Sequence, residues 1–119
     1  MDYSIKKIGN LVVVRKNDYT QENENRALTH EVKSMLTENV KFVAVDLDGI
    51  LYINSVGLNF MISMLTSTRK IGGDAVLISP NTTIIKLLEV TKLKDMFTIV
   101  DDINEAAKAL QLNSAVTGV

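Results

Sequence analysis

Val40-Lys41-Phe42-Val43-Ala44-Val45-Asp46-Leu47 is a nearly continuous apolar run, followed by Asp48-Gly49 and then Ile50-Leu51-Tyr52-Ile53-Asn54-Ser55-Val56-Gly57-Leu58. The length and β-branched content of the run predict a central strand buried on both faces. Asp48-Gly49 predicts a turn. Leu58, Met61, Ile62 and Leu65 recur at i, i+3, i+4 and i+7, which predicts an amphipathic helix from about Ser55 to Lys70. Gly72-Gly73 ends that helix, because glycine accepts the left-handed conformation past a helix end. A buried strand that hands over to a helix near Ile53–Leu58 is the repeating unit of a parallel α/β sheet.

Working outward, the same unit repeats. Ala75-Val76-Leu77-Ile78 reads as a strand. Ser79-Pro80-Asn81-Thr82 supplies turn and cap chemistry for a helix carrying Ile84, Ile85, Leu87 and Leu88. Phe97-Thr98-Ile99-Val100 is a further short strand, and Asp101-Asp102 caps a last helix bearing Ile103, Ala106, Ala107 and Leu110. Toward the N-terminus, Leu28, Val32, Met35 and Leu36 mark one face of a first helix. The stretch Asn17 to Asn25 before it is too polar for core and reads as a loop plus the first helical turn. Ile5–Ile8 and Leu11–Arg15 form two strands, joined by the hairpin signal Gly9-Asn10. The predicted order is β-β-α-β-α-β-α-β-α. That is one α/β domain over residues 1–112, with a mostly parallel sheet of four to five strands, an antiparallel edge hairpin at its N-terminal side and about four helices. Residues 113–119 are small and weakly patterned and are expected to fray.

Composition narrows the function. A chain of 119 residues with 46% hydrophobic and 23% charged residues fits one ordinary globular domain. A formal net charge of -1 argues against nucleic acid as the partner, since phosphate neutralisation needs a basic face. Lys6, Lys7, Arg15 and Lys16 cluster, and they read as a solvated strand surface. There is no cysteine and a single histidine, His30, so no thiol chemistry, histidine-rich metal site or cofactor is indicated. No run approaches the roughly 18 apolar residues of a membrane span, and Met1–Lys7 lacks the apolar stretch of a signal peptide, so a cytoplasmic location is expected.

The junction at Ser55 carries the functional reading. A helix start exposes unpaired N–H groups and a partial positive charge. A serine there can cap the helix, face a partner, or accept a phosphate of roughly two negative charges. Catalysis has thin support. Ser55 has no base nearby in sequence, and Asn54-Ser55-Val56-Gly57 lacks the glycine that precedes a nucleophile-elbow serine. Asp46 and Asp48 read as a polar strand end rather than an acid–base pair. Ile71-Gly72-Gly73-Asp74 lacks the lysine and hydroxyl of a phosphate loop. A binding module, not an enzyme, is therefore expected.

The series Asp46-Leu47-Asp48-Gly49-Ile50-Leu51-Tyr52-Ile53-Asn54-Ser55-Val56-Gly57-Leu58, Lys70-Ile71-Gly72-Gly73-Asp74-Ala75-Val76-Leu77, Leu87–Leu93, Phe97-Thr98-Ile99 and Glu105-Ala106-Ala107 resembles a STAS domain, the fold of bacterial anti-sigma factor antagonists. The resemblance runs from about Ile5 to Leu110. It implies binding to an anti-sigma factor that is also a serine kinase, phosphorylation of the junction serine to end the antagonism, and a phosphatase to restore it. On this sequence the serine is Ser55. The partner site implied is Asp18, Asn54, Ser55, Val56, Gly57 and Leu58. Two positions depart from the family pattern. Asn54 stands where an aspartate is usual, which retains capping ability and loses charge. In the early loop, Asn17-Asp18-Tyr19-Thr20-Gln21 replaces the usual glycine and aspartate, with Asp18 the substitute. Relatives of this fold also serve as scaffolds or as small cytoplasmic subunits of membrane transport assemblies of the ABC type, which is the alternative. A monomer or a weak dimer through an exposed edge is expected.

Overall fold

Alternating side chains on five strands build the protein around its predicted central run. A computed structural model describes the backbone of residues 3–117 and the side chains of residues 3–110. The strands are β1 (Tyr3–Ile8), β2 (Leu11–Lys16), β3 (Phe42–Asp46), β4 (Asp74–Ile78) and β5 (Thr98–Val100). The helices are α1 (Glu22–Met35), α2 (Ser55–Arg69), α3 (Thr82–Val90) and α4 (Ile103–Thr117), with a 3-10 turn at Lys94–Met96. α4 runs into the stretch expected as a tail, whose last two residues lie outside the described residues.

The sheet order is β1-β2-β3-β4-β5. β1 and β2 pair antiparallel, and every later pair is parallel. The hairpin turns on Gly9, whose φ of 62° favours glycine. β3 is buried along its whole length because both its faces are covered. Val43 and Val45 join Val12, Val14, Ala75 and Leu77 on the face packed by Leu28 and Val32 of α1, Phe60, Met61, Met64 and Leu65 of α2, and Ile84 and Leu88 of α3. Phe42 and Ala44 join Leu11, Val13, Val76 and Ile78 on the opposite face, under Ala106 and Leu110 of α4. A one-residue slip of β3 would exchange these two sets of side chains, so the packing fixes the register.

The structure corrects three local expectations. Residues 47–54 form a loop rather than the end of a strand. The Nδ2 of Asn81 donates to the carbonyls of Ile50 at 3.1 Å and Leu51 at 2.9 Å, so side-chain bonds take the place of a sheet ladder. The buried stripe of α2 is Gly57, Phe60, Met61, Met64, Leu65 and Thr68, which leaves Leu58 and Ile62 only half-buried. In the polar stretch, Tyr19 and Asn25 are core residues.

Candidate functional site

The carboxyl ends of β2 and β3 release two loops that meet. In the loop after β2, the Oδ1 of Asp18 accepts hydrogen bonds from the hydroxyl of Thr20 at 2.7 Å and the backbone N–H of Thr20 at 2.8 Å. Those two donors, the hydroxyl first, hold the Asp18 carboxyl below its usual range. Tyr19 turns inward. Its phenol donates to the Asp46 carbonyl at 3.2 Å, and its ring lies 5.4 Å from that of Phe60. Burial, and then the charge of Asp46, push the Tyr19 phenol well above its ordinary value. Asn25 fastens the loop to α1, donating from Nδ2 to the Tyr19 carbonyl at 2.7 Å and accepting from Lys16 Nζ at 2.9 Å.

Of the basic cluster, Lys6, Lys7 and Arg15 are exposed as expected, and the network corrects the reading for Lys16 alone. Lys16 is buried, and its ammonium sits between Asn25, Glu24 and the Tyr19 ring. Arg15 pairs with the buried carboxylate of Asp46 at 3.2 Å. Hydrogen-bonded partners make such burial tolerable.

The second loop turns at Gly49, whose φ is 82°, and exposes Leu51 and Tyr52 at 81% and 61%. Ile53 then returns to the core. Capping of α2 falls to Asn54, not Ser55: the Asn54 Oδ1 accepts from Gly57 N–H at 3.1 Å. The Nδ2 of Asn54 reaches across to the Thr20 carbonyl at 3.4 Å, so the two loops are joined through this one side chain. Gly57 permits a close approach of α2 to both loops. An added Cβ would lie 3.0 Å from Ile53 Cβ and 3.2 Å from the Tyr19 carbonyl oxygen.

Ser55 is therefore the first helical residue, exposed and relieved of the capping role. Among the described residues its hydroxyl makes no hydrogen bond. It lines a groove of about 430 Å³ between α1 and α2, together with Val56, Asn59, Glu22, Asn25 and Arg26. The structure thus brings Asp18, Asn54, Ser55, Val56 and Gly57 to one end of the molecule, while Leu58 packs its side chain against the core. Glu22 and Arg26 are not among the site residues expected from the sequence, yet both line the groove. Their i, i+4 spacing was the available signal, and they form an ion pair at 2.8 Å.

Asp46 and Asp48 line a different cavity, of about 340 Å³, with Asp101 and Asp102. Asp48 N–H donates to the Asp46 carboxylate at 3.0 Å, so these residues brace a turn. Among the described residues, no group of three or more His, Asp or Glu side chains could hold a metal ion. Among them too, no helix is long and apolar enough to cross a membrane.

The profile of the STAS domain family matches residues 3–106. The chain belongs to the STAS domain family. No curated protein matches the sequence. Solved structures share this fold. TM1081 from Thermotoga maritima, a candidate anti-sigma factor antagonist, is 22% identical with a TM-score of 0.80, covering 92% of this chain and 94% of that one. The phosphorylated form of SpoIIAA from Bacillus is 13% identical with a TM-score of 0.71, covering 90% and 97%. Part of the murine anion transporter Slc26a9 is 13% identical with a TM-score of 0.70, covering 90% of this chain and 18% of the transporter. At these identities the likeness establishes the shared fold.

Proposed function

We propose that this STAS domain is a cytoplasmic anti-sigma factor antagonist, acting as a binding module and switched by phosphorylation of Ser55. The observation that carries the reading is the hydroxyl of Ser55. It is exposed, it makes no hydrogen bond among the described residues, and it stands at the first helical position beside a groove. Asn54 has taken over the cap, so modifying Ser55 leaves the helix start intact. Antagonism is a property of SpoIIAA, a solved relative of this fold that also exists in a phosphorylated form.

In this reading, an anti-sigma factor that is also a serine kinase docks on the Asp18 and Asn54–Gly57 surface. The exposed side chains of Leu51 and Tyr52, in the loop that leads into α2, offer apolar contact. The kinase transfers the γ-phosphoryl group of a nucleoside triphosphate to the Ser55 oxygen. The hydroxyl proton passes to a base on the kinase, and the nucleoside diphosphate leaves. Roughly two negative charges then enter the interface. Their desolvation and repulsion weaken docking, while the fold is unchanged. A phosphatase reverses the step.

The test is to incubate the protein with its cognate kinase and ATP, map the phosphate by mass spectrometry, and measure binding by calorimetry. Phosphate is expected on Ser55. Ser55→Ala is expected to bind without being modified, and Ser55→Asp to bind at least about tenfold more weakly. Phosphate at another residue, or stable binding with no phosphate, refutes the switch. The likeness to part of Slc26a9 favours a second reading, a STAS scaffold in a membrane transport assembly. Its signature is recovery with transporter subunits in the absence of phosphoryl transfer.

A further inference from the structure

The groove beside Ser55 has a cation on its far wall. Ser55 and Asn59 of α2 form one side, and Glu22, Asn25, Arg26 and Thr29 of α1 form the other. Arg26 is the one cationic side chain among the described residues lining it. Among the described residues its guanidinium is engaged only by Glu22, one turn earlier on the same helix, at 2.8 Å. Both side chains of that pair are 70% exposed, and an exposed pair of this kind adds little to stability. The pair is therefore easily exchanged.

We propose that Arg26 is an internal receiver for a phosphate on Ser55, exchanging Glu22 for the phosphoryl oxygens when Ser55 is modified. The proposal rests on the reading of Ser55 as a modification site. A phosphate dianion carries more charge than a carboxylate, and it presents oxygens that match the planar fork of a guanidinium. Asn59 and Thr29 add hydrogen-bond donors on either wall. The exchange ties α1 to the start of α2 across the groove, which covers the apolar floor made by Val56 and Phe60. Phosphorylation would then alter the partner-facing surface in shape as well as charge. Glu22 has a defined part in this scheme. It holds Arg26 in the unmodified state and repels the incoming phosphate, so its removal strengthens the new contact.

The test uses the full chain with phosphoserine installed at position 55 during synthesis, so that no kinase is needed. The phosphate is titrated by phosphorus NMR, alongside the same protein carrying Arg26→Gln or Glu22→Gln. Free phosphoserine has a second pKa of about 6. The midpoint is expected to rise by about 0.5–1 pH unit in Arg26→Gln and to fall by about 0.5 unit in Glu22→Gln, as a close opposite or like charge requires. A merely structural role for Arg26 would leave the phosphorus titration unmoved. Equal midpoints in the parent and Arg26→Gln proteins overturn the proposal. That result would leave the kinase reading of Ser55 standing, and a kinase that ignored Ser55 would leave the titration result standing.

Discussion

Replacing Asn54 with alanine removes two contacts at once, and their sum can be worked out. The Oδ1 bond to Gly57 N–H, at 3.1 Å, is an N-cap whose loss costs about 1 kcal/mol. The Nδ2 bond to the Thr20 carbonyl, at 3.4 Å, is near the limit of useful length and contributes about 0.5 kcal/mol. The expected loss is about 1.5 kcal/mol. With a urea dependence of about 2 kcal/mol per molar, the unfolding midpoint falls by about 0.7 M. Asn54→Asp separates the parts. It keeps the cap acceptor, loses the donor to Thr20, and gains about 0.5 kcal/mol from a negative charge at the helix start, so it should unfold close to the parent. Ser55→Ala should change stability by less than about 0.5 kcal/mol, because its hydroxyl is exposed and makes no hydrogen bond among the described residues. If Ser55→Ala fell as far as Asn54→Ala, or if Asn54→Ala did not fall, the separation of cap from modifiable hydroxyl would be wrong.

Other expectations follow from the same structure. Gly73→Ala should cost about 3 kcal/mol in urea unfolding or give insoluble protein, since the new Cβ would lie 1.6 Å from the Lys41 carbonyl oxygen, which is backbone and cannot swing aside. Asn25→Ala should cost about 2–3 kcal/mol by the same measurement, because it takes the hydrogen-bond acceptor at 2.9 Å from the buried Lys16 ammonium, leaving it Glu24 at 3.6 Å and the Tyr19 ring, and leaves the Tyr19 carbonyl without its donor. For Asp18 the folded pKa is depressed, so its contribution is present above the ordinary value of 3.8 and is lost as pH falls through the lower folded value. The ordering of the Thr20 amide, followed by hydrogen exchange, should therefore be insensitive to protonation of Asp18 above that value and loosen below it, and Asp18→Ala should abolish the acid transition. For Tyr19 the folded pKa is raised, so the stability linked to it is complete below pH 10.0 and declines as pH rises beyond that. Tyr19→Phe should remove the latest component of the tyrosinate absorbance titration.

Much of this architecture was legible in the chain. Residues 42–45 are apolar without interruption because β3 is covered on both faces, and that pattern needs no knowledge of its neighbours. The site was less legible, since its decisive bonds join residues far apart in sequence. Ile50–Ile53 looks like a strand, yet the carbonyls of Ile50 and Leu51 are taken by Asn81, about thirty residues later. Tyr19 sits in a polar stretch, and only the fold supplies the Asp46 carbonyl that accepts from its phenol and the Phe60 ring beside it. The stripe of α2 is rotated toward Gly57 because the absent side chain lets the helix approach Ile53 and Tyr19, a fit that periodicity alone does not report. The helix start at Ser55 is legible in the sequence, but the Asn54 cap beside it is visible only in three dimensions.

The strands lie side by side in the order in which they are synthesised. Each one emerging from the ribosome finds its neighbour already in place, so no half-built sheet must wait for a segment still to be translated. Assembly can proceed vectorially, from the hairpin onward, and truncations made after successive crossovers should trap progressively wider sheets.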